Sequence, residues 1–384
     1  MKLAVLCDAI YPYTQGGREA LHFQRSTRLA RRGHAVRIYT SHWWPEPEAE
    51  IVRDGVVLHA ITPRMTLYTR RGRRSKWRAI GFGLGAFRLL WSPEFDVLDV
   101  DQFPFTHFFA ARLTCALRRR PMTATWHDVW DAATWRRRAG WLAPLGAVLQ
   151  RAAARQADLV FANSALTATR LTNWLGVDPR RVLILPPSGV ESLPSREALP
   201  KTIDCIFVGR LVPHTHVDLL LQALAALPEV TAEILGSGPE RQRLQALAAT
   251  LGLANRVRFE SPGTHEAVLE RLRAARLLTF PSTREGFGIA VLEANACGVP
   301  ALIIKHPDNA ALEMVRQGEN GLVCELDAER MASAIRGFLA DPATQARMSK
   351  AARSVASTYS WETYVTRMLG SLQSLIRHDL EGAA

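Results

Sequence analysis

Glu285 and Glu293 stand with seven residues between them in the stretch 281–300, PSTREGFGIAVLEANACGVP, and their type and spacing suit recognition of a hydroxyl-rich ligand. A carboxylate accepts hydrogen bonds from paired hydroxyls, as a sugar or a ribose presents them. The surrounding residues indicate how the two would be held. The apolar run 275–280 ends at Pro281-Ser282, turn chemistry that terminates a strand. Residues 283–288 make a polar loop containing Gly286, Phe287 and Gly288, and 289–297 carry apolar residues at helical spacing until Gly298 and Pro300 stop them. Strand, glycine loop and helix in that order put a helix N-terminus, with its unpaired N–H groups, at the carboxyl end of a strand, where open α/β sheets bind anions.

Other strand ends carry chemistry too. Arg210 follows the apolar run 203–208 and brings a planar, permanently charged fork suited to a diphosphate. Gly16-Gly17 separate the run 2–8 from a helical pattern over 18–32, which predicts a backbone cradle for phosphate. His127-Asp128 leave the run 122–126, so an imidazole stands where it can bond a sugar hydroxyl, with Asp128 as a candidate to orient it. Asp99-Val100-Asp101 form a DxD pattern, but carboxylates at the polar end of a buried strand are ordinary, and no metal is expected there.

The elements that must position these residues alternate. Strand-like runs at 36–40, 56–61, 97–100, 122–126, 159–162 and 182–185 are separated by helical patterns, which predicts a doubly wound parallel sheet. Pro186-Pro187 and the charged, proline-bearing segment 190–201 read as a linker. A second series then begins at 203–208 and continues at 232–235, 257–260, 277–280, 301–304 and 321–324. The expected fold class is α/β, with Rossmann-like domains over 1–190 and 202–360, and an amphipathic helix from Trp361 closing the chain.

Length and composition agree with this division. A chain of 384 residues suits two domains of ordinary size. The formal net charge of +12 points to an anionic partner, although no nucleic-acid recognition motif accompanies it. Five cysteines, far apart and without a CxxC pair, argue against a disulfide framework or zinc site and favour a reducing, cytoplasmic setting. The apolar run after Lys2 is interrupted by Asp8 and is too short for a signal peptide, and no run approaches a membrane span. Two stretches, 64–91 with Arg70, Arg71, Arg73, Arg74, Lys76 and Arg78, and 126–141 with Arg136, Arg137 and Arg138, interleave basic and aromatic residues. They fit an anionic membrane surface, which would make the protein peripheral at the inner face.

The pattern P-S-x-x-E-G-F-G-x-x-x-L-E-A-x-A-x-G-x-P over 281–300 resembles the E-x7-E signature of retaining GT-B glycosyltransferases of the family 4 type. Gly16-Gly17-Arg18-Glu19 is similar to that family's N-terminal GG-x-E loop, and Gly209-Arg210-Leu211 to its G-R-L motif. The resemblance implies two Rossmann-like domains facing across a cleft, with the last helix returning to the first domain and hinges near Val190 and Trp361. It implies a nucleotide-diphosphate sugar as co-substrate, no bound cofactor or metal, and a hydroxyl acceptor, a glycan or lipid-linked sugar. Glu285 and His127 would contact the donor sugar, Glu293 the ribose, and Arg210, Gly16, Gly17, Gly286, Phe287 and Gly288 the rest of the donor. The pattern departs at Thr215, which stands where the family places a diphosphate-binding lysine. A hydroxyl cannot offset phosphate charge, so either His214, His216 or Lys305 substitutes for the missing cation, or the alternative is a non-catalytic, nucleotide-sugar-binding member. A Rossmann oxidoreductase is disfavoured, because no G-x-G-x-x-G follows an early strand.

Overall fold

The structure, a computed structural model, describes residues 1–14, 16–64, 76–188 and 200–381. The chain divides into one unit of Met1–Pro186 with Glu362–Ala384 and a second of Pro187–Trp361. Residues 190–199 of the expected linker, including Val190, lie outside the described residues.

The first unit holds β1 (Lys2–Leu6), β2 (Ala35–Ser41), β3 (Glu50–Arg53), β4 (Val56–Thr62), β5 (Val97–Asp101), β6 (Met122–Trp126), β7 (Leu159–Ala162) and β8 (Val182–Ile184) in one sheet. Their order is β3-β4-β2-β1-β5-β6-β7-β8, parallel except for β3, which pairs antiparallel with β4 on the edge. Runs such as Leu3 to Leu6 are apolar throughout because a parallel strand covered on both faces has no side turned to water. Strand order reverses between β1 and β5, so their carboxyl ends flank the crevice of a doubly wound sheet. The edge hairpin was not expected from the alternation of strands and helices. Its turn is Asp54-Gly55, both at positive φ, the pairing a two-residue hairpin favours.

The last helix, Trp361–Glu381, is bound to this unit. Met368 and Leu372 are fully buried, Arg367 donates to the Ile184 carbonyl at 3.0 Å, and Arg32 pairs with Glu362. Buried Tyr364 reaches Arg25 of the helix Gly17–Arg31. The helix begins at Trp361, where the amphipathic pattern begins.

The second unit holds β9 (Ile203–Val208), β10 (Ala232–Leu235), β11 (Val257–Glu260), β12 (Ala275–Phe280), β13 (Ala301–Ile304) and β14 (Gly321–Cys324). All pair in parallel in the order β11-β10-β9-β12-β13-β14. Counted within the unit this is 3-2-1-4-5-6, the dinucleotide-fold order, whose reversal falls between β9 and β12. Phe207 and Phe280 stack across those two strands with centroids 6.3 Å apart, and burial of that layer fixes the register of their loops.

Candidate active site

In the second unit, the loops leaving β9, β12 and β13 are stitched together at the point of strand reversal. Thr283 N–H donates to the His214 carbonyl at 3.0 Å, tying the loop after β12 to the turn after β9. Asn309, fully buried, donates from Nδ2 to the carbonyls of Ser282 at 3.1 Å and Ile304 at 2.9 Å. Glu285 forms a bridge with the same segment, its N–H donating to Asp308 at 2.9 Å and its carbonyl accepting from Ala310 at 3.0 Å. The main chain of Glu285 is therefore fixed from both sides, which leaves its half-buried side chain to be aimed by the loop. Arg210 leaves β9 beside this seam with an exposed side chain.

The helix Ile289–Ala296 starts from Gly288 at φ +94°, a conformation that other residues rarely adopt. A Cβ there would also lie 2.8 Å from the Ala311 methyl carbon. Gly288 thus permits the helix N-terminus to form against the 310–313 turn. Glu293 lies on this helix with its side chain 14% exposed, and burial pushes its carboxyl up to about 7. His265 Nδ1 stands 3.6 Å from Glu293 Oε1. Glu293 is poised between acid and carboxylate near neutral pH, so a hydroxyl donor would favour the carboxylate.

The first unit carries a polar network at its own strand reversal. Asp8 follows β1, while Asp99 and Asp101 sit two apart on β5 and so share a face. Arg18, His22 and Arg25, at i, i+4 and i+7 of the helix Gly17–Arg31, cover that face. Arg18 donates to Asp8 Oδ1 at 2.9 Å, Glu19 Oε1 at 2.8 Å and Asp101 Oδ2. Arg25 pairs with Asp99 and donates to Thr125 Oγ1 at 2.8 Å and His22 Nδ1 at 2.7 Å. His127, just past β6, meets Asp101 Oδ1 through Nε2 at 3.1 Å, and His22 Nε2 reaches the same oxygen at 2.9 Å. Burial opposes the charge on Asp101, but the Arg18 charge, followed by His22 and the hydrogen bonds from His127 and His22, together outweigh it and hold the carboxyl well below the usual carboxylate range. Burial, then Arg25, lowers His22 to about 4.

His22, Asp101 and His127 offer ligand atoms within 4.8 Å of one another, a spacing that can hold a cation. Arg18 and Arg25 already donate into that cluster, so an added cation would meet two guanidinium charges.

The structure places the remaining expected residues as follows, and changes one orienting partner. Asp128 is not the orienting partner of His127: that group is Asp101, and Asp128 stands 3.9 Å from Arg170. Phe287 is buried in the core of its unit and packs edge-on against Tyr359 at 5.7 Å, so only its backbone faces the loop. Thr215 is buried, and its hydroxyl donates back to the carbonyls of Val212 at 2.7 Å and Arg210 at 3.1 Å, closing the turn that presents His214 and His216. His216 Nε2 lies 3.2 Å from Thr283 Oγ1, and exposed Lys305 lies 3.9 Å from Glu325. Gly16 is covered by Glu19, whose carboxylate would stand 2.2 Å from a Cβ placed there, and Gly17 begins the first helix. Gly286 is half-buried beside Glu285. Arg18, His22 and Arg25 were missed by sequence reasoning, although their polar stripe on a helix facing a DxD strand was the available signal.

The basic aromatic stretches also divide. Residues 65–75 lie outside the described residues, Arg70, Arg71, Arg73 and Arg74 among them. Arg78 is not a surface cation: it is buried, donates to the Asp8 carbonyl and packs 4.6 Å from the Trp43 ring centre. Phe82, Leu89, Trp126 and Trp135 are core residues. Trp77, Leu84, Trp91 and Trp141 are exposed, Trp141 by 86%, and the helix His107–Arg118 exposes Phe109, Leu113 and Leu117 along one stripe. Among the described residues no helix is long and apolar enough to cross a membrane.

Comparison with known proteins gives the family and the fold. Residues 16–188 match the sequence family "Glycosyltransferase Family 4" and residues 191–355 match "Glycosyl transferases group 1". D-inositol 3-phosphate glycosyltransferase of Geodermatophilus obscurus is 34% identical over 241 residues, 56% of this chain and 52% of that protein. The Mycobacterium avium protein of the same name is 33% identical over 253 residues, 61% and 59% of the two chains. The chain thus matches little more than half the length of these curated relatives. Among solved structures, sucrose-phosphate synthase from Thermosynechococcus elongatus superposes with a TM-score of 0.80 at 20% identity, covering 98% of this chain and 99% of that one. Anabaena HepE in complex with UDP gives 0.75 at 19% identity, covering 97% and 100%. These likenesses show the GT-B fold, and the family matches carry the assignment: the chain belongs to the family 4, group 1 glycosyltransferases.

Proposed function

We propose that this chain is a retaining, metal-independent glycosyltransferase that moves a sugar from a nucleotide-diphosphate sugar to a hydroxyl acceptor. The observation that carries the reading is the seam at the β9–β12 reversal, where Arg210, Glu285 and the helix N-terminus after Gly288 converge at adjacent strand ends. Arg210 and the N–H groups after Gly288 stabilise the departing diphosphate, replacing the charge a metal would bring. Glu285 accepts from donor-sugar hydroxyls and Glu293 from the ribose. His127 contacts the sugar, and Gly16-Gly17 contribute backbone to the donor side. Retention follows a front-face route in which the leaving phosphate takes the acceptor proton, so no dedicated general base is required.

HepE was solved with UDP, which makes uridine nucleotides the first donors to test. A thermal-shift screen of nucleoside diphosphates and their sugars identifies the donor, and the anomeric configuration of the product then tests retention. Activity unchanged by EDTA supports metal independence, whereas activity restored by added divalent ions opposes it.

The acceptor side of the proposal is a glycan or lipid-linked sugar reached at a cytoplasmic membrane face. Its support is the exposed apolar set Trp77, Trp91, Trp141 and the Phe109–Leu113–Leu117 stripe on a chain of net charge +12.

A further inference from the structure

The buried Asp101 does more than neutralise Arg18. Three hydrogen bonds determine where the protons of its neighbours sit. A guanidinium only donates, so His22 Nδ1, which meets Arg25 Nη2 at 2.7 Å, must accept. His22 therefore carries its proton on Nε2 and donates it to Asp101 Oδ1 at 2.9 Å. Arg18 holds Asp101 ionised, and an ionised carboxylate only accepts. The 3.1 Å contact between His127 Nε2 and Asp101 Oδ1 must then also be a donation by the histidine. The backbone of His127 is fixed by the same strand ends: its N–H donates to Gln102 Oε1 at 2.8 Å, and its carbonyl accepts from Asn163 Nδ2 at 2.9 Å.

We infer that Asp101 is the positioning residue that locks His127 as the Nε2–H tautomer, so that Nδ1 presents a lone pair and accepts a hydrogen bond from a ligand hydroxyl. The part concerning the ligand rests on the glycosyl-transfer reading; the tautomer does not. Among the described residues no hydrogen bond reaches His127 Nδ1, so the protein leaves that atom for a ligand. The surrounding charges support one arrangement. Arg18, Arg25 and Asp99 come from the helix Gly17–Arg31 and β5, Asp8 from the end of β1, and His107 donates from Nε2 to the Asp101 carbonyl at 2.8 Å. Asp101 thereby couples the GG-x-E helix to the strand-end histidine within one unit.

The test is nitrogen NMR of the full chain labelled with ¹⁵N-histidine at neutral pH, the His127 signals being assigned by their loss in H127Q. The inference predicts a protonated Nε2 and an unprotonated Nδ1 on His127. A proton on Nδ1, in either the other neutral tautomer or the imidazolium, overturns it whatever the activity. D101N adds a second arm if it folds: the His127 tautomer should become mixed and kcat should fall about 10–100-fold with donor KM nearly unchanged, as for other residues that orient a histidine. Unchanged kcat in D101N overturns the positioning role, while transfer by the wild type tests the glycosyl-transfer reading separately. The wild-type spectrum needs no variant to fold.

Discussion

Thr283 and His214, 69 residues apart, are joined by a 3.0 Å hydrogen bond from the N–H of the first to the carbonyl of the second. That bond makes the turn after β9 and the glycine loop after β12 one rigid seam, so the side chains on it keep their spacing without a ligand.

Glu285 is anchored by its backbone, so removing its side chain leaves the seam intact. Glu285→Ala should retain the wild-type circular dichroism spectrum and melting temperature while lowering kcat by about 100-fold or more, the cost of losing an oriented contact to the reacting sugar. Wild-type-like turnover in a folded variant would remove Glu285 from the proposed mechanism.

Glu293 should make nucleotide binding depend on pH. Burial raises its carboxyl from an ordinary 4.5 to about 7, so the free protein holds this proton more tightly than the unfolded chain does. Its contribution to stability is fully present below about pH 4.5 and is lost as pH rises toward 7, on the order of 3 kcal/mol in all. Glu293→Gln should therefore raise the melting temperature at pH 8 and change it little at pH 4. Ribose hydroxyls favour the carboxylate, so nucleotide binding should strengthen from pH 6 to pH 8 and release a proton. Titration calorimetry in buffers of different ionisation enthalpy measures that proton, and proton uptake on binding would contradict the role.

Thr215 sits inside the turn that a lysine would have to open. Thr215→Lys removes the hydroxyl bonded to Val212 and Arg210 and adds a cation near the proposed diphosphate. We expect a lower melting temperature, by roughly 1–3 kcal/mol of stability, together with about tenfold tighter nucleotide binding. Unchanged or weaker calorimetric affinity would show that the position no longer serves the phosphates.

The exposed tryptophans give the membrane proposal its own test. Flotation with vesicles containing anionic lipid should capture the chain at low salt and release it as salt rises, since Debye screening weakens the basic contribution. Replacing Trp77, Trp91 and Trp141 by Ser should reduce capture without lowering the melting temperature, because all three side chains are already in water. Capture by neutral vesicles alone would contradict the electrostatic part.

Much of the fold was legible because parallel strands buried on both faces read as apolar runs: β6, β7, β9, β10, β11, β13 and β14 begin and end where the runs do. The edge strand β3 was not, since residues 50–53 expose most of their side chains and carry little hydrophobic signal. The E-x7-E loop was legible because chain geometry alone places Glu285 and Glu293 on one strand–loop–helix unit. The Asp101 network was not, because its members come from β1, β5, β6 and one helix, and only tertiary packing shows which carboxylate meets which base. Thr215 exposed the limit of motif reading: the pattern shows only that a hydroxyl replaces a lysine there, whereas the direction of its side chain is set by the turn.

The most direct test of the account is hydrogen–deuterium exchange of the full chain with and without the nucleotide that a thermal-shift screen selects. Nucleotide binding should add protection in the second unit concentrated at residues 209–216, 281–293 and 305–313, the three loops of the seam and the helix after Gly288. Protection confined to other segments, or none at saturating nucleotide, would contradict the claim that this strand reversal holds the donor.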